Sequence, residues 1–135
     1  MARLLLVLFG CAALSACAPV APPASTPSHE LHRLYFGLDL PEGEAVTPAE
    51  WREFLRLEVT PRFPEGLTYW PAHGQWRNQA GTILKENSMI LEIVVPPDDR
   101  EEAVRSLQAI IDAYKRQFRQ EAVFWVRADV NAEVR

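Results

Sequence analysis

Hydrophobic and polar residues alternate in some segments of the chain and recur every three or four positions in others. Strict alternation is typical of a half-buried β-strand, whereas spacings of three and four are typical of an amphipathic helix. Leu34, Phe36 and Leu38 alternate with the residues of a more polar face and therefore indicate a half-buried strand. By the same criterion, strands are predicted at residues 31–40, 67–76, 83–95 and 122–130.

The second and third predicted strands differ in the position they favour within a sheet. Residues 89–95 of the third strand are apolar on both faces except at Glu92, which is typical of a central strand. The second contains Pro71, which has no backbone N–H to donate to a neighbouring strand. We therefore expect the second strand to lie at an edge and to be broken or bulged at this proline. Residues 78–81 are predicted to form the hairpin loop that joins the two strands.

A first helix is predicted after the first strand. Thr47 and Glu50 occupy the two positions of a capping box, and Pro48 stands at the first helical position. Apolar residues then recur at helical spacing. The helix is predicted to end near Thr60, because a proline such as Pro61 disfavours the helical conformation in the residue that precedes it.

A second helix is predicted to begin with Asp98 or Asp99 as the capping residue and to continue to about Phe118. The predicted order is strand, helix, strand, strand, helix, strand. This is the order of the ferredoxin-like (split βαβ) fold, an α+β fold with one antiparallel sheet and both helices on one face. In that fold the first and third strands lie in the centre of the sheet.

The N-terminal residues have the features of an export signal. Residues 1–16 contain Arg3 and then an apolar run of about 11 residues, which is the length found in secretory signals. A transmembrane helix would need about 20 apolar residues. The sequence Leu-Ser-Ala-Cys at positions 14–17 resembles the lipoprotein box of bacterial lipoproteins, with cleavage between Ala16 and Cys17. The alternative is an ordinary signal peptide followed by a chance cysteine.

The lipoprotein resemblance implies a chemical modification and a location. The thiol of Cys17 would receive a diacylglyceryl group and its new amine would be acylated, which makes a stable membrane anchor. Ala18, in the place of an aspartate, implies onward transport to the outer membrane, with the domain facing the periplasm. Residues 17–30 are then a lipidated, proline-rich tether of extended conformation, and residues 31–135 form a single domain.

Composition and motifs exclude several function classes. The net charge is −4 and basic residues are scattered among acidic ones, which argues against a nucleic-acid partner. We find no glycine-rich phosphate loop and no Gly-x-Ser-x-Gly motif. Cys11 falls in the leader and Cys17 would be lipidated, so no disulfide is expected. His73 is predicted to be the only histidine of the packed region, with His29 and His32 at the tether boundary. We therefore expect no metal and no cofactor.

The sheet face turned away from the helices is the candidate functional surface, because it combines aromatic, basic and acidic side chains. It could be the floor of a ligand site, a partner surface, or a solvated face with cross-strand charge pairs. One reading is a binding or assembly module that pairs with itself or with another envelope protein. The other is a small cofactor-free enzyme with His73, Glu86 or Glu92 as the acid–base group. The candidate side chains are Tyr35, His73, Gln75, Arg77, Glu86, Ser88, Glu92 and Trp125, with Arg33, Asp39 and Arg127 assigned to the same face.

Short sequence runs resemble one family of small exported bacterial proteins. They include Leu-Tyr-Phe-Gly-Leu at positions 34–38, Thr-Pro-Arg-Phe-Pro at 60–64 and Gly-Gln-Trp-Arg at 74–77. Together they resemble the domain of unknown function 3574 family over about residues 31–127. The resemblance implies the extent of the domain. It brings no activity, cofactor or catalytic residue with it.

Overall fold

Four strands and two α-helices make up the described part of this α+β protein. The computed structural model describes residues 28–40, 43–77, 79–133 and 135, so the predicted leader, Cys17 and most of the predicted tether lie outside the described residues. The strands are β1 His29–Gly37, β2 Thr68–Arg77, β3 Ile83–Val95 and β4 Phe124–Val130, and the helices are α1 Pro48–Phe54 and α2 Arg100–Phe118. A π-helical segment, Leu55–Val59, continues α1, and a 3₁₀ turn, Pro97–Asp99, precedes α2.

The four described strands form one antiparallel sheet in the order β2-β3-β1-β4. Strands β1 and β3 therefore lie in the centre of the sheet, and β2 lies at an edge, as predicted. The predicted break at Pro71 is wrong, because this residue pairs with Met89 within a register that continues along all of β2. An edge strand tolerates proline, because it has a neighbouring strand on one side only and the missing backbone N–H can lie on its open side. Of the predicted hairpin loop, Asn78 lies outside the described residues, and Gly81 adopts a φ of 82° that favours glycine.

The first strand begins at His29, two residues before the predicted start. Within β1 the even-numbered residues point toward the helices, and His32 is completely buried among them. The prediction that His32 belongs to the tether boundary is therefore wrong. Its position is in phase with Leu34 and Phe36, which are also completely buried.

The predicted capping box at the start of α1 is confirmed. The Thr47 hydroxyl accepts a hydrogen bond from the Glu50 backbone N–H at 3.2 Å, and the Glu50 carboxylate accepts one from the Thr47 N–H at 2.8 Å. The helix widens in its last turn, where the Thr60 N–H donates to the carbonyl of Leu55 at 2.8 Å. This i to i+5 bond defines a π-helical turn, which helical spacing alone did not predict.

The second helix begins where it was predicted, although its cap differs. Asp99 occupies the N-cap position but its side chain makes no capping hydrogen bond, because a 3₁₀ turn leads the backbone into the helix instead. At the other end Arg119 has a φ of 53°, and its N–H donates to the carbonyl of Lys115. This left-handed residue ends the helix in the usual manner of an αL cap.

Both helices pack on one face of the sheet around a cluster of aromatic rings. The ring of Tyr114 on α2 lies 4.7 Å from Phe36 on β1, 5.1 Å from Phe54 on α1 and 4.7 Å from Phe118. Its hydroxyl donates a hydrogen bond of 2.8 Å to the carbonyl oxygen of Gly37. Tyr114 therefore fixes the end of β1 to the second helix.

Candidate functional site

The sheet face that no helix covers is called the open face here. Residues that are directly paired in an antiparallel sheet project to the same side, and successive residues project to opposite sides. Tyr35 pairs with Ile90 on β3 and with Phe124 on β4, so these three residues share the open face. The apolar and aromatic residues that the pairing places there are Leu31, Tyr35, Trp70, Ala72, Trp76, Leu84, Ile90, Val94, Phe124, Val126, Ala128 and Val130.

The centre of the open face carries one ion pair. The Arg33 guanidinium donates to the Glu92 carboxylate at 2.8 Å through Nε and also through a terminal nitrogen. The same guanidinium lies 5.7 Å from the ring centroid of Trp70, within the range of a cation–π contact. This hydrogen bond to Glu92 raises the pKa of Arg33. The two charges neutralise each other, so the middle of the face has little net charge.

Half of the predicted site residues lie on the open face. Tyr35 and Glu92 are there by direct pairing with Ile90 and Arg33. Ser88 and Glu86 follow on the same side of β3, because they are separated from Ile90 by two and four positions. These four side chains therefore lie together on the open face.

The other half lies on the helix side of the sheet, which corrects the prediction. Trp125 pairs with Leu34, and Arg127 pairs with the buried His32. A shift of one residue along a strand moves every side chain to the other face. In β4 the apolar residues Phe124, Val126 and Ala128 form the open-face side instead. The candidates misassigned in this way are His73, Gln75, Arg77 and Trp125, and Arg127, which was assigned to the same face, is misplaced with them.

His73 and Asp39 both make hydrogen bonds to Asn87. His73 lies near the exposed end of the β2–β3 hairpin, where its Nδ1 shares a 2.8 Å hydrogen bond with the Oδ1 of Asn87. Asn87 is on the helix side of the sheet, so the side chains of His73 and Glu86 project to opposite sides of it. Asp39 follows β1, and its carboxylate accepts a hydrogen bond of 3.3 Å from the Asn87 N–H.

A cleft of about 570 Å³ lies at the hairpin end of the open face. Glu86 stands in this cleft opposite Gly74, and a Cβ placed on Gly74 would meet no atom within 4 Å. On the other side, a Cβ placed on Gly37 would lie only 2.8 Å from the Glu86 Oε1. The Glu86 carboxylate therefore extends over Gly37, toward the aromatic rings of Tyr35 and Phe124, whose centroids are 5.5 Å apart.

A polar cluster on the helix side was missed by the sequence analysis. The buried His32 accepts a hydrogen bond of 3.3 Å at Nδ1 from the Trp125 indole, and its Nε2 lies 3.7 Å from a carboxylate oxygen of Glu30. Burial lowers the pKa of His32. The Arg127 guanidinium donates to Glu30 at 2.8 Å and lowers the pKa of that carboxyl. The inward phase that His32 shares with Leu34 is the signal that would have revealed this cluster.

Among the described residues, no group of three or more histidine, cysteine, aspartate or glutamate side chains could hold a metal ion. Within the same ranges, no helix has the length and apolar composition needed to cross a membrane.

The fold is similar to solved structures of low sequence identity. A phage SAM lyase in complex with S-methyl-5'-thioadenosine has a TM-score of 0.59 and 15% identity, with 82% of this chain and 88% of that chain covered. The same type of enzyme in its apo state has a TM-score of 0.57 and 14% identity, with 86% and 92% covered. CutA from Synechococcus elongatus PCC7942 has a TM-score of 0.48 and 13% identity, with 78% and 80% covered. At these identities the similarity shows the fold alone.

Sequence comparison defines the family. None of the curated proteins matches this chain. The family described as protein of unknown function (DUF3574) matches residues 31–134, which is most of the chain. This match includes all of the sheet except the first two residues of β1. The chain therefore belongs to the DUF3574 family.

Proposed function

We propose that the protein is a lipid-anchored assembly module of the cell envelope, in which two copies pair through their open faces. The observation that carries this proposal is the apolar composition of a sheet face that no element of the described chain covers. Val94 is 42% exposed, Trp76 54% and Phe124 67%. Contiguous apolar surface of this kind is uncommon on monomeric proteins and marks an interaction site.

The size of the face is sufficient for a small specific interface. Strands lie about 4.8 Å apart and rise about 3.4 Å per residue, so four strands of about eight residues cover roughly 500 Å². Two such faces in contact would reach the total of about 1,000 Å² that a specific interface needs. An interface as small as this favours reversible self-association.

The charge distribution favours a second copy of the same chain over a strongly charged partner. In a two-fold symmetric pair, the same patch meets itself and must not repel itself. The central Arg33 and Glu92 charges are already paired within one chain, so two copies can approach without like-charge contact there. The remaining centre of the face is apolar, with Ile90 only 7% exposed.

The predicted anchor supports assembly at a membrane. The leader and the lipoprotein box at 14–17 support lipidation at Cys17, and Ala18 supports delivery to the outer membrane. The proline-rich segment would hold the domain away from the lipid surface. Two anchored copies share one surface, which raises their effective concentration and favours a weak pair.

The fold proposed for this module is ferredoxin-like. Its support is the chain order of the strands and helices, the sheet order β2-β3-β1-β4, and the similarity to the phage SAM lyase at a TM-score of 0.59. The alternative function, a cofactor-free enzyme with His73, Glu86 or Glu92 as acid–base group, has less support. His73 lies on the other side of the sheet, and Glu92 is paired with Arg33.

Sedimentation equilibrium of the full chain in a density-matched neutral detergent tests the proposal. We expect a concentration-dependent dimer, and we expect Val94→Arg to shift it to monomer because the new charge would be buried in the interface. Leu57→Arg is the matched control, since Leu57 is 51% exposed and lies after α1, away from the open face. A strictly monomeric parent, or a Val94→Arg variant that dimerises like the parent, would contradict self-association.

A further inference from the structure

We propose that the cleft at the hairpin end of the open face binds a small organic cation, such as a quaternary ammonium group. Glu86 supplies the counter-charge, and Tyr35, Trp76 and Phe124 supply aromatic surface. The site lies within one chain, so the inference goes beyond self-association and does not depend on it.

Among the described residues, Glu86 is a carboxylate without a counter-charge in the partly enclosed cleft. Within the described part of the chain, Glu86 has no ion pair and no hydrogen bond, whereas Glu92 on the same face is paired with Arg33. The side chain is half-buried, and the residues that line the cleft include no lysine, arginine or histidine. A carboxylate that has no positively charged neighbour is available to attract a cation.

Two glycines leave space around this carboxylate. Gly74 stands directly opposite Glu86 on β2, and the position of its missing side chain is open. Gly37 on β1 allows the carboxylate to lie close to the backbone, because a Cβ there would stand 2.8 Å from the Glu86 Oε1 and the carboxylate would have to move. The cleft therefore stays open on one side of the charge and is closed by backbone on the other.

A second side-chain oxygen lies near Gly37, beside that of Glu86. The Oε1 of Gln120 lies 3.4 Å from the position where a Cβ of Gly37 would be, next to the Glu86 carboxylate. Its Nε2 donates a hydrogen bond of 2.9 Å to the carbonyl of Asp39, which assigns the amide nitrogen and leaves the oxygen beside Gly37. Two acceptor oxygens in one place favour a positively charged ligand.

The aromatic residues determine the kind of cation. The rings of Tyr35 and Phe124 lie 5.5 Å apart, and Trp76, on the open face two positions from Gly74, is more than half exposed. Aromatic faces attract alkylated cations, which are weakly hydrated. A hard metal ion would need six or more oxygen ligands, which this cleft does not provide. The combination selects an organic cation.

An NMR titration of the full chain tests this inference, in a detergent without ammonium groups. Choline is the probe, and 3,3-dimethyl-1-butanol is its neutral carbon isostere. We expect choline to shift the Trp76 indole signal with a millimolar dissociation constant, and the isostere to bind at least about fivefold more weakly. Glu86→Gln should weaken choline about fivefold or more. Phe124→Leu, which keeps the apolar bulk, should weaken it about two- to fivefold.

Glu65→Gln is the matched control, because it removes a carboxylate from an exposed turn at the other end of β2. It should leave choline binding unchanged. Equal binding of choline and its isostere, equal binding by parent and Glu86→Gln, or no binding up to about 50 mM would each overturn the inference. The same titration on Val94→Arg separates the two proposals. Choline binding that persists in this variant supports the site even if self-association is disproved.

Discussion

The hydrogen bond between Tyr114 and Gly37 allows a quantitative prediction about how the helices hold the sheet. The tyrosine hydroxyl is buried beneath the end of β1 and donates to the Gly37 carbonyl at 2.8 Å. Burial raises the pKa of Tyr114, so the hydroxyl stays protonated and remains a donor. Tyr114→Phe removes this one hydroxyl and keeps the ring that packs against Phe36 and Phe118.

The expected loss follows from the burial of both partners. A hydrogen bond of this kind contributes about 1 kcal/mol net, and leaving a buried acceptor without a partner costs about 1–3 kcal/mol. Gly37 is buried, so water cannot easily replace the lost donor. We expect the free energy of unfolding to fall by about 2 kcal/mol, which corresponds to roughly 10 °C in Tm for a domain of about 100 residues.

Urea unfolding of the full chain, followed by tryptophan fluorescence, measures this difference. Trp51 is a suitable reporter because its ring lies 6.2 Å from that of Tyr114. Tyr69→Phe is the control, since Tyr69 is 42% exposed and its hydroxyl makes no hydrogen bond within the described residues. We expect the control to change stability by less than about 0.5 kcal/mol. If Tyr114→Phe and Tyr69→Phe are equally stable, the assigned role of the hydroxyl is wrong.

Two further predictions concern the buried histidine and the anchor. Burial lowers the pKa of His32 from 6.5, so the unfolded chain takes up a proton first and stability is lost as the pH falls below about 6.5. His32→Gln should flatten the dependence of the unfolding free energy on pH between about 7 and 5, and an unchanged slope would exclude His32 as its source. Cys17→Ser should abolish incorporation of labelled palmitate in cells, whereas Cys11→Ser, within the predicted leader, should not. Labelled Cys17→Ser protein would disprove lipidation at this residue.

The sequence determined the features that depend on near neighbours along the chain. The strand predicted at 83–95 has the same limits in the structure, and the capping box at Thr47 and Glu50 forms as its residue types require. Strand β3 is more apolar than β2, and β2 contains Pro71. These differences predict that β3 lies in the centre of the sheet and β2 at an edge, as the structure shows. Periodicity and capping are local properties, so one sequence is sufficient to predict them.

The tertiary structure decided which face of each strand is buried. An alternation of period two shows which residues share a side, but it does not show which side meets the helices. In β4, Phe124 lies on the open face although it is strongly apolar. Trp125 lies on the helix side, where its indole donates to the buried His32. This choice depends on the pairing of β4 with β1, which is separated from it by most of the chain.

The cleft depends on tertiary structure in the same way. Glu86, Gly37 and Phe124 belong to three different strands, and nothing in their sequence spacing indicates that they adjoin. Pairing β1 with both β3 and β4 brings the carboxylate over the glycine and beside the aromatic rings. The sequence thus determined the elements and about half of the predicted residues of the open face. Only the assembled sheet decided which of them lie together, because strand pairing joins residues that are distant along the chain.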